Sequence, residues 1–125
     1  MIVYVFGNSD LEFDSLPLRI LPQLRGLFPD VTFEIKDPNE DWDVPEDLVV
    51  LDTAFGINEV MVFDDLDKFE KVPRVSMHDF DAITNLRYLK KIGKIKKIKI
   101  IGVPPGMDEK MAAEEVGNKL KEICK

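Results

Sequence analysis

Leu48-Val49-Val50-Leu51-Asp52 decides how this 125-residue chain folds. Four apolar residues in a row lack the alternation of a strand that faces water on one side. They mark a strand buried on both faces, the kind found at the centre of a parallel sheet covered by helices. The run stops at Asp52, so a carboxylate falls at the strand's carboxyl end. Upstream, Ile2 to Phe6 reads as a first buried strand closed by Gly7-Asn8, and Val31 to Lys36 alternates cleanly as a second. Downstream, Glu59 to Phe63 is a short fourth strand reached through Gly56-Ile57-Asn58, a turn compact enough for an antiparallel neighbour and suited to a sheet edge. Lys97 to Val103 is the last strand.

Helical spacing fills the intervals. Leu16, Ile20, Leu24 and Leu27 recur behind an Asp14-Ser15 start signal, but Pro22 removes the backbone donor that Leu18 needs, so this helix should kink or break near Leu21. Phe80 or Asp81 to Ile92 forms a helix with Ile83 and Leu86 in register and Gly93 as its stop. Asp108 caps a final helix that has acids early, lysines late, and Ala112, Val116, Leu120 and Ile123 facing inward. Strands alternating with helices predict an α/β fold: a three-layer α/β/α sandwich on a mostly parallel, roughly five-stranded sheet with one antiparallel edge strand. The length suits one domain, residues 1–125.

Composition narrows the function. Hydrophobic residues make up 45% and charged residues 33%, and no apolar run reaches the ~18 residues that a membrane-spanning helix requires. No membrane insertion is expected. A single cysteine, Cys124, precludes an internal disulfide and points to the cytoplasm. The net charge of −7 argues against nucleic-acid binding, which lysine and arginine drive. Charge is nonetheless segregated: Arg87, Lys90, Lys91, Lys94, Lys96, Lys97 and Lys99 crowd into thirteen positions, while Asp37 to Asp47 carries six acids. Such segregation forms a solvated face or steers a polar partner.

In a doubly wound sheet the first crossover runs to one side of strand 1 and strand 3 returns on the other. The carboxyl ends of strands 1 and 3 then flank a topological switch point, where ligands bind. Asp14 follows strand 1, Asp52 ends strand 3, and His78 falls just ahead of a helix N-terminus on the same rim. Two carboxylates and an imidazole leave open positions on a divalent metal, as a site that also accepts substrate ligands must. Each residue also has a structural reading: Asp14 as a helix cap, Asp52 as an acceptor for backbone donors, His78 as a hydrogen-bonding group.

These motifs resemble the [NiFe]-hydrogenase maturation endopeptidases. That family opens with a strand, Gly-Asn, a short loop and an acidic pair before a helix, matched by VYVFGNSDLEFDS at 3–15 with Asp14 at the metal-binding acid. An apolar strand ending in Asp is matched by LVVLDTAFG at 48–56, a Ser-x-His before a helix by Ser76-Met77-His78, and a strand entering a Gly/Pro loop by KIIGVPPGMD at 99–108. The resemblance implies an endopeptidase that removes a C-terminal extension from the hydrogenase large-subunit precursor after nickel loading. Asp14, Asp52 and His78 would then be both its metal-contacting and its catalytic residues. The nickel comes with the precursor, and zinc or another divalent metal can stand in as a surrogate. Water attacking a metal-polarised carbonyl is the implied route, with Asp14 or Asp52 as base.

The chain departs from the family pattern in two places. Phe13 stands where the pair has its first acid, and the stretch between strands 2 and 3 is compressed into DPNEDWDVPED at 37–47. The alternative is a non-catalytic paralogue that binds the precursor or a small ligand in the same cleft. Gly7-Asn8-Ser9-Asp10 lacks the repeated glycines and lysine of a nucleotide-binding loop. Asp10 and Glu12 are candidate supports for the metal site. Asp64, Asp65 and Asp67 lack EF-hand spacing and are set aside. Trp42 should pack beneath the shortened segment, with an exposed partner anchor as the alternative.

Overall fold

Strand β3, Asp47–Thr53, lies at the middle of a five-stranded sheet with both neighbours parallel to it. The computed structural model describes residues 1–7, 10–11, 14–37, 42–70 and 77–124, the side chains of 70 and 77–82 excepted. The other strands are β1 (Ile2–Val5), β2 (Thr32–Ile35), β4 (Met61–Phe63) and β5 (Lys97–Val103), in the order β2-β1-β3-β5-β4. β4 alone runs antiparallel, at the edge.

The partner of β4 is β5, not the strand it follows in sequence: Met61, Val62 and Phe63 pair with Gly102, Ile101 and Ile100. The reason is the free edge of β3. β5 pairs with β3 along all of Asp47 to Thr53, and a seven-residue apolar strand outcompetes a three-residue one for a fully buried position. The turn at Gly56 is thus the start of a longer excursion and not a hairpin.

Pleat alternation divides the core into two layers. Val3, Val5, Val49, Leu51, Ile101 and Val103 face Leu16, Ile20, Leu21 and Leu24 together with Ala112, Val116 and Leu120. These come from helices α1 (Leu16–Arg19), α2 (Leu21–Leu27) and α5 (Glu109–Ile123). On the other face Tyr4, Phe6, Leu48, Val50, Ile98 and Ile100 meet Trp42, Leu66, Phe69, Ile83 and Leu86, the last four from α3 (Leu66–Glu70) and α4 (Met77–Lys91).

The expected break near Leu21 is present. α1 ends at Arg19, α2 begins at Leu21, and each carries a proline in its first turn, Pro17 and Pro22, where no intrahelical donor is needed. Gly93, at φ 84°, ends the following turn after α4 in the left-handed conformation. Asp108 caps α5, accepting from Met111 N at 3.2 Å.

Two helical features differ from the sequence reading. α3 was not expected, and α4 starts at Met77 instead of Phe80 or Asp81. The turn ahead of Phe80 has no apolar residue in phase with Ile83 and Leu86, so hydrophobic periodicity is blind to it. His78 therefore sits inside the first turn of α4, not ahead of the helix. No helix of the described residues is long and apolar enough to cross a membrane.

Trp42, in the β2-to-β3 crossover, packs over β1 on the α3–α4 face. Trp42 is 8% exposed, its ring 5.2 Å from that of Phe6 and 6.4 Å, edge-on, from that of Tyr4. Its Nε1 donates to Asp37 O at 2.9 Å. Tyr4 is tied to the same segment, its hydroxyl donating to Asp43 O at 2.7 Å. Burial, with the charges of Glu34 and Asp43, raises the Tyr4 phenol above its ordinary pKa. The indole of Trp42 thus covers β1 from beneath the shortened crossover, as expected for Trp42.

Candidate active site

The switch point falls between β1 and β3. The chain leaves β1 for β2 on one side and returns to β3 on the other, so the two carboxyl ends are neighbours. Phe6 N donates to Leu51 O at 2.9 Å, carrying the ladder one residue past β1 to the level of Asp52.

Asp52 is 2% exposed and lies opposite Gly102 of β5. Alternation with Leu48 and Val50 directs it to the α3–α4 face. Its Oδ1 accepts from Thr53 N at 2.8 Å, so part of its carboxylate serves the backbone, as the structural reading held.

Asp14 is fully buried, both carboxylate oxygens included. Its N–H donates to Leu11 O at 3.0 Å, turning the loop back toward the sheet. Gly7 permits that approach: a Cβ there would lie 2.9 Å from Asp14 O and 3.2 Å from Leu18 Cγ. The backbone of Asp14 is therefore packed on Gly7, two residues past the end of β1, and two buried acids share one edge of the sheet. Asp14 and Asp52 both take part in further polar interactions, so neither is an isolated charge.

The helix-cap reading of Asp14 sets the cap one residue too early. The N-cap position of α1 is Ser15, whose side chain makes no capping bond. Ser15 Oγ instead accepts from Arg19 Nε at 3.0 Å, and Arg19 Nη1 donates to Glu109 Oε1 at 2.7 Å, joining α1 to α5.

His78 belongs by its backbone to the α4 layer, on the face toward which Asp52 points. Its side chain lies outside the described residues, and so does Glu12. Asp10 is exposed at the turn. Among the described residues no three His, Cys, Asp or Glu side chains gather closely enough to hold a metal ion. Two carboxylates supply hard oxygen donors, which suit a divalent cation but leave its coordination incomplete without nitrogen or substrate ligands.

The acidic cluster 64–67 is structural. Asp65 Oδ1 accepts from Asp67 N at 2.7 Å, Lys68 Nζ lies 3.1 Å from Asp64 Oδ1, and Arg87 Nη2 lies 2.9 Å from Asp67 Oδ1, tying α4 to α3. The hydrogen bond and charge of Lys68 hold the Asp64 carboxyl below its usual range.

Two residues escaped the sequence reading. Gly7 was read only as a strand stop, and its close contact with Asp14 leaves no trace in sequence beyond the residue type. Thr53 is 1% exposed, with its hydroxyl unpaired among the described residues. Its one sequence signal is its place after Asp52.

Gly7→Ala should damage the site more than the fold. The added methyl meets backbone, which cannot swing away as a side-chain tip can, so the Asp14 loop must shift. The expected cost is about 1–3 kcal/mol of stability, read by thermal melting, while any activity that depends on Asp14 falls at least ~100-fold, the scale seen for displacements near 1 Å. Unchanged activity would show that the loop position is immaterial.

No protein-family model and no curated protein matches the chain. Solved structures do. The hydrogenase maturating endopeptidase HybD from E. coli superposes with a TM-score of 0.67 at 21% identity, covering 98% of this chain and 93% of that one. The endopeptidase HycI from Escherichia coli gives a TM-score of 0.68 at 19% identity over 100% and 92% of the two chains. A hydrogenase 3 maturation protease gives 0.68 at 18% over 96% and 88%. At these identities the likeness establishes the fold, which this chain shares from end to end.

Proposed function

We propose that this protein is a processing endopeptidase of hydrogenase maturation, cutting a C-terminal extension from a [NiFe]-hydrogenase large-subunit precursor after nickel loading. The observation that carries this reading is the pair of buried acids, Asp14 and Asp52, at the adjoining carboxyl ends of β1 and β3. It is supported by a fold shared with a hydrogenase maturating endopeptidase, a hydrogenase 3 maturation protease and the endopeptidase HycI. Burying two carboxylates costs several kcal/mol each unless they are well paired. A fold that needs only shape at these positions has cheaper choices.

Nickel is part of the substrate and belongs to the precursor. Bound there, it supplies Lewis-acid polarisation and an anchor that distinguishes loaded from empty precursor. Asp14 and Asp52 approach it with oxygen donors and His78 with a ring nitrogen, so the enzyme reads the metal through all three. One of the two acids, held within hydrogen-bond reach of a water, accepts its proton as the water attacks the scissile carbonyl. The proton then passes to the leaving amine. The chain has no need of a serine or cysteine nucleophile for this, and Cys124 is exposed beside the C-terminus.

Purified precursor, nickel-loaded and nickel-free, tests the reading. Intact-mass spectrometry should show removal of the extension from the loaded form at least ~100-fold faster than from the empty form, since an anchoring metal contact is worth several kcal/mol. Equal cleavage of both forms would contradict nickel recognition. A tight complex with neither form cut would establish the non-catalytic alternative.

A further inference from the structure

The outer face of α4 and the turn that follows it leave two large apolar side chains exposed. Ile83, Leu86 and the half-buried Leu89 pack into the core, yet Tyr88 is 61% and Ile92 48% exposed. Ile92 N donates to Tyr88 O at 3.1 Å, which stacks the two one turn apart on a single stripe. Single exposed apolar residues are ordinary. Two in register, one in the last turn of a helix and one just past its end, beside a charge cluster, are not.

The charge beside the stripe is positive. Arg87, Lys90 and Lys91 line, with Leu66, Asp65 and Asp67, a groove of about 350 Å³ between α3 and α4. Arg87 is paired with Asp67, whereas Lys90, Lys91 and Lys94 form no ion pair among the described residues. The whole chain carries −7, yet here the three lysines outnumber Asp65, the one acid of the groove not paired with Arg87, and a local excess of positive charge on an acidic molecule steers an oppositely charged partner.

We infer that the Tyr88–Ile92 stripe and its lysine rim form a docking surface for an acidic, apolar-anchored segment of a protein partner. Resting on the function proposed above, that partner is the precursor. Tyrosine is a favoured interface anchor because its rigid ring buries much area at small entropic cost, and unpaired lysines at the rim set orientation and encounter rate. The same helix bears His78 in its first turn. Ten residues at ~1.5 Å each place Tyr88 about 15 Å along the axis from it, so a substrate lying along α4 is held at one end while its nickel reaches the acids at the other.

Steady-state cleavage of the nickel-loaded precursor by wild type, Tyr88→Ala and Lys90→Glu/Lys91→Glu tests this. Each variant should raise KM at least tenfold with kcat within twofold, and the charge reversal should remove most of the salt dependence of kcat/KM. Both variants alter exposed positions, so their melting temperatures should stay within about 2 °C of wild type. Unchanged KM in both variants overturns the docking surface and leaves the peptidase reading standing. If wild type does not cleave, the calorimetric Kd for the precursor takes the place of KM: weaker binding by the variants upholds the surface, while equal or absent binding overturns it. A wild-type dimer that Tyr88→Ala dissociates without change in KM assigns the face to a second copy and overturns the proposal.

Discussion

Asp52→Asn should leave the protein folded and slow precursor cleavage by about 10²- to 10⁴-fold, the range spanned by loss of a general acid–base group. Asparagine keeps the size of the side chain and the Oδ1 that accepts from Thr53 N at 2.8 Å. What it removes is negative charge and the capacity to take a proton. The backbone role of Asp52 survives, and only the chemical role is lost. Asp14→Asn should behave alike at a position with no exposure at all. Circular dichroism and melting of both variants separate the two roles: a folded protein with stability within about 2 kcal/mol of wild type, and cleavage slowed by that factor, is expected. If activity persists within threefold, the acids are structural. If activity and stability collapse together, their burial serves the fold.

Trp42→Ala should cost about 3–5 kcal/mol, the scale for truncating a buried aromatic. That is a large part of the ~5–15 kcal/mol by which a domain of this size is stable. The indole fills the place over Tyr4 and Phe6 that a crossover helix occupies in a longer α/β protein, and its Nε1 bond to Asp37 O fixes the start of the segment. Removing it leaves the α3–α4 face of β1 uncovered next to Gly7, one residue beyond Phe6. A fall in melting temperature of roughly 10–15 °C follows from that cost. Trp42→Phe, which keeps most of the contact and loses one hydrogen bond, should fall by less than half as much. A shift under about 3 °C for Trp42→Ala would mean that the compressed crossover needs no anchor. Trp42 is the one tryptophan, so the wild-type emission maximum reports its environment directly and should lie to the blue of free indole in water.

What sequence disclosed about the fold was whatever depends on local chemistry. Leu48–Leu51 could not face water on either side, Pro22 could not continue a helix, Gly93 and Asp108 had to end and begin one, and each appears in place. What it hid depends on competition between distant segments. β4 is antiparallel and peripheral as its shortness suggests, but β5 takes the edge of β3 because it offers seven residues to pair where β4 offers three. α3 has five residues, too few for a periodic signal. The α4 start was hidden by an out-of-phase first turn, which moved His78 from a loop onto a helix.

At the site, Asp14 and Asp52 were legible because strand ends and switch points follow from topology. The burial of both acids, and the Gly7 contact that seats Asp14, arise from packing that no spacing encodes. The side chain of His78 lies outside the described residues.

Crystals soaked with nickel or zinc and measured by anomalous diffraction test the central claim most directly. One peak is predicted at the β1–β3 edge, with Asp14 and Asp52 oxygens and a His78 ring nitrogen each about 2.0–2.2 Å from the ion. No peak at that edge at saturating metal, or an ion held there without either aspartate, would contradict it.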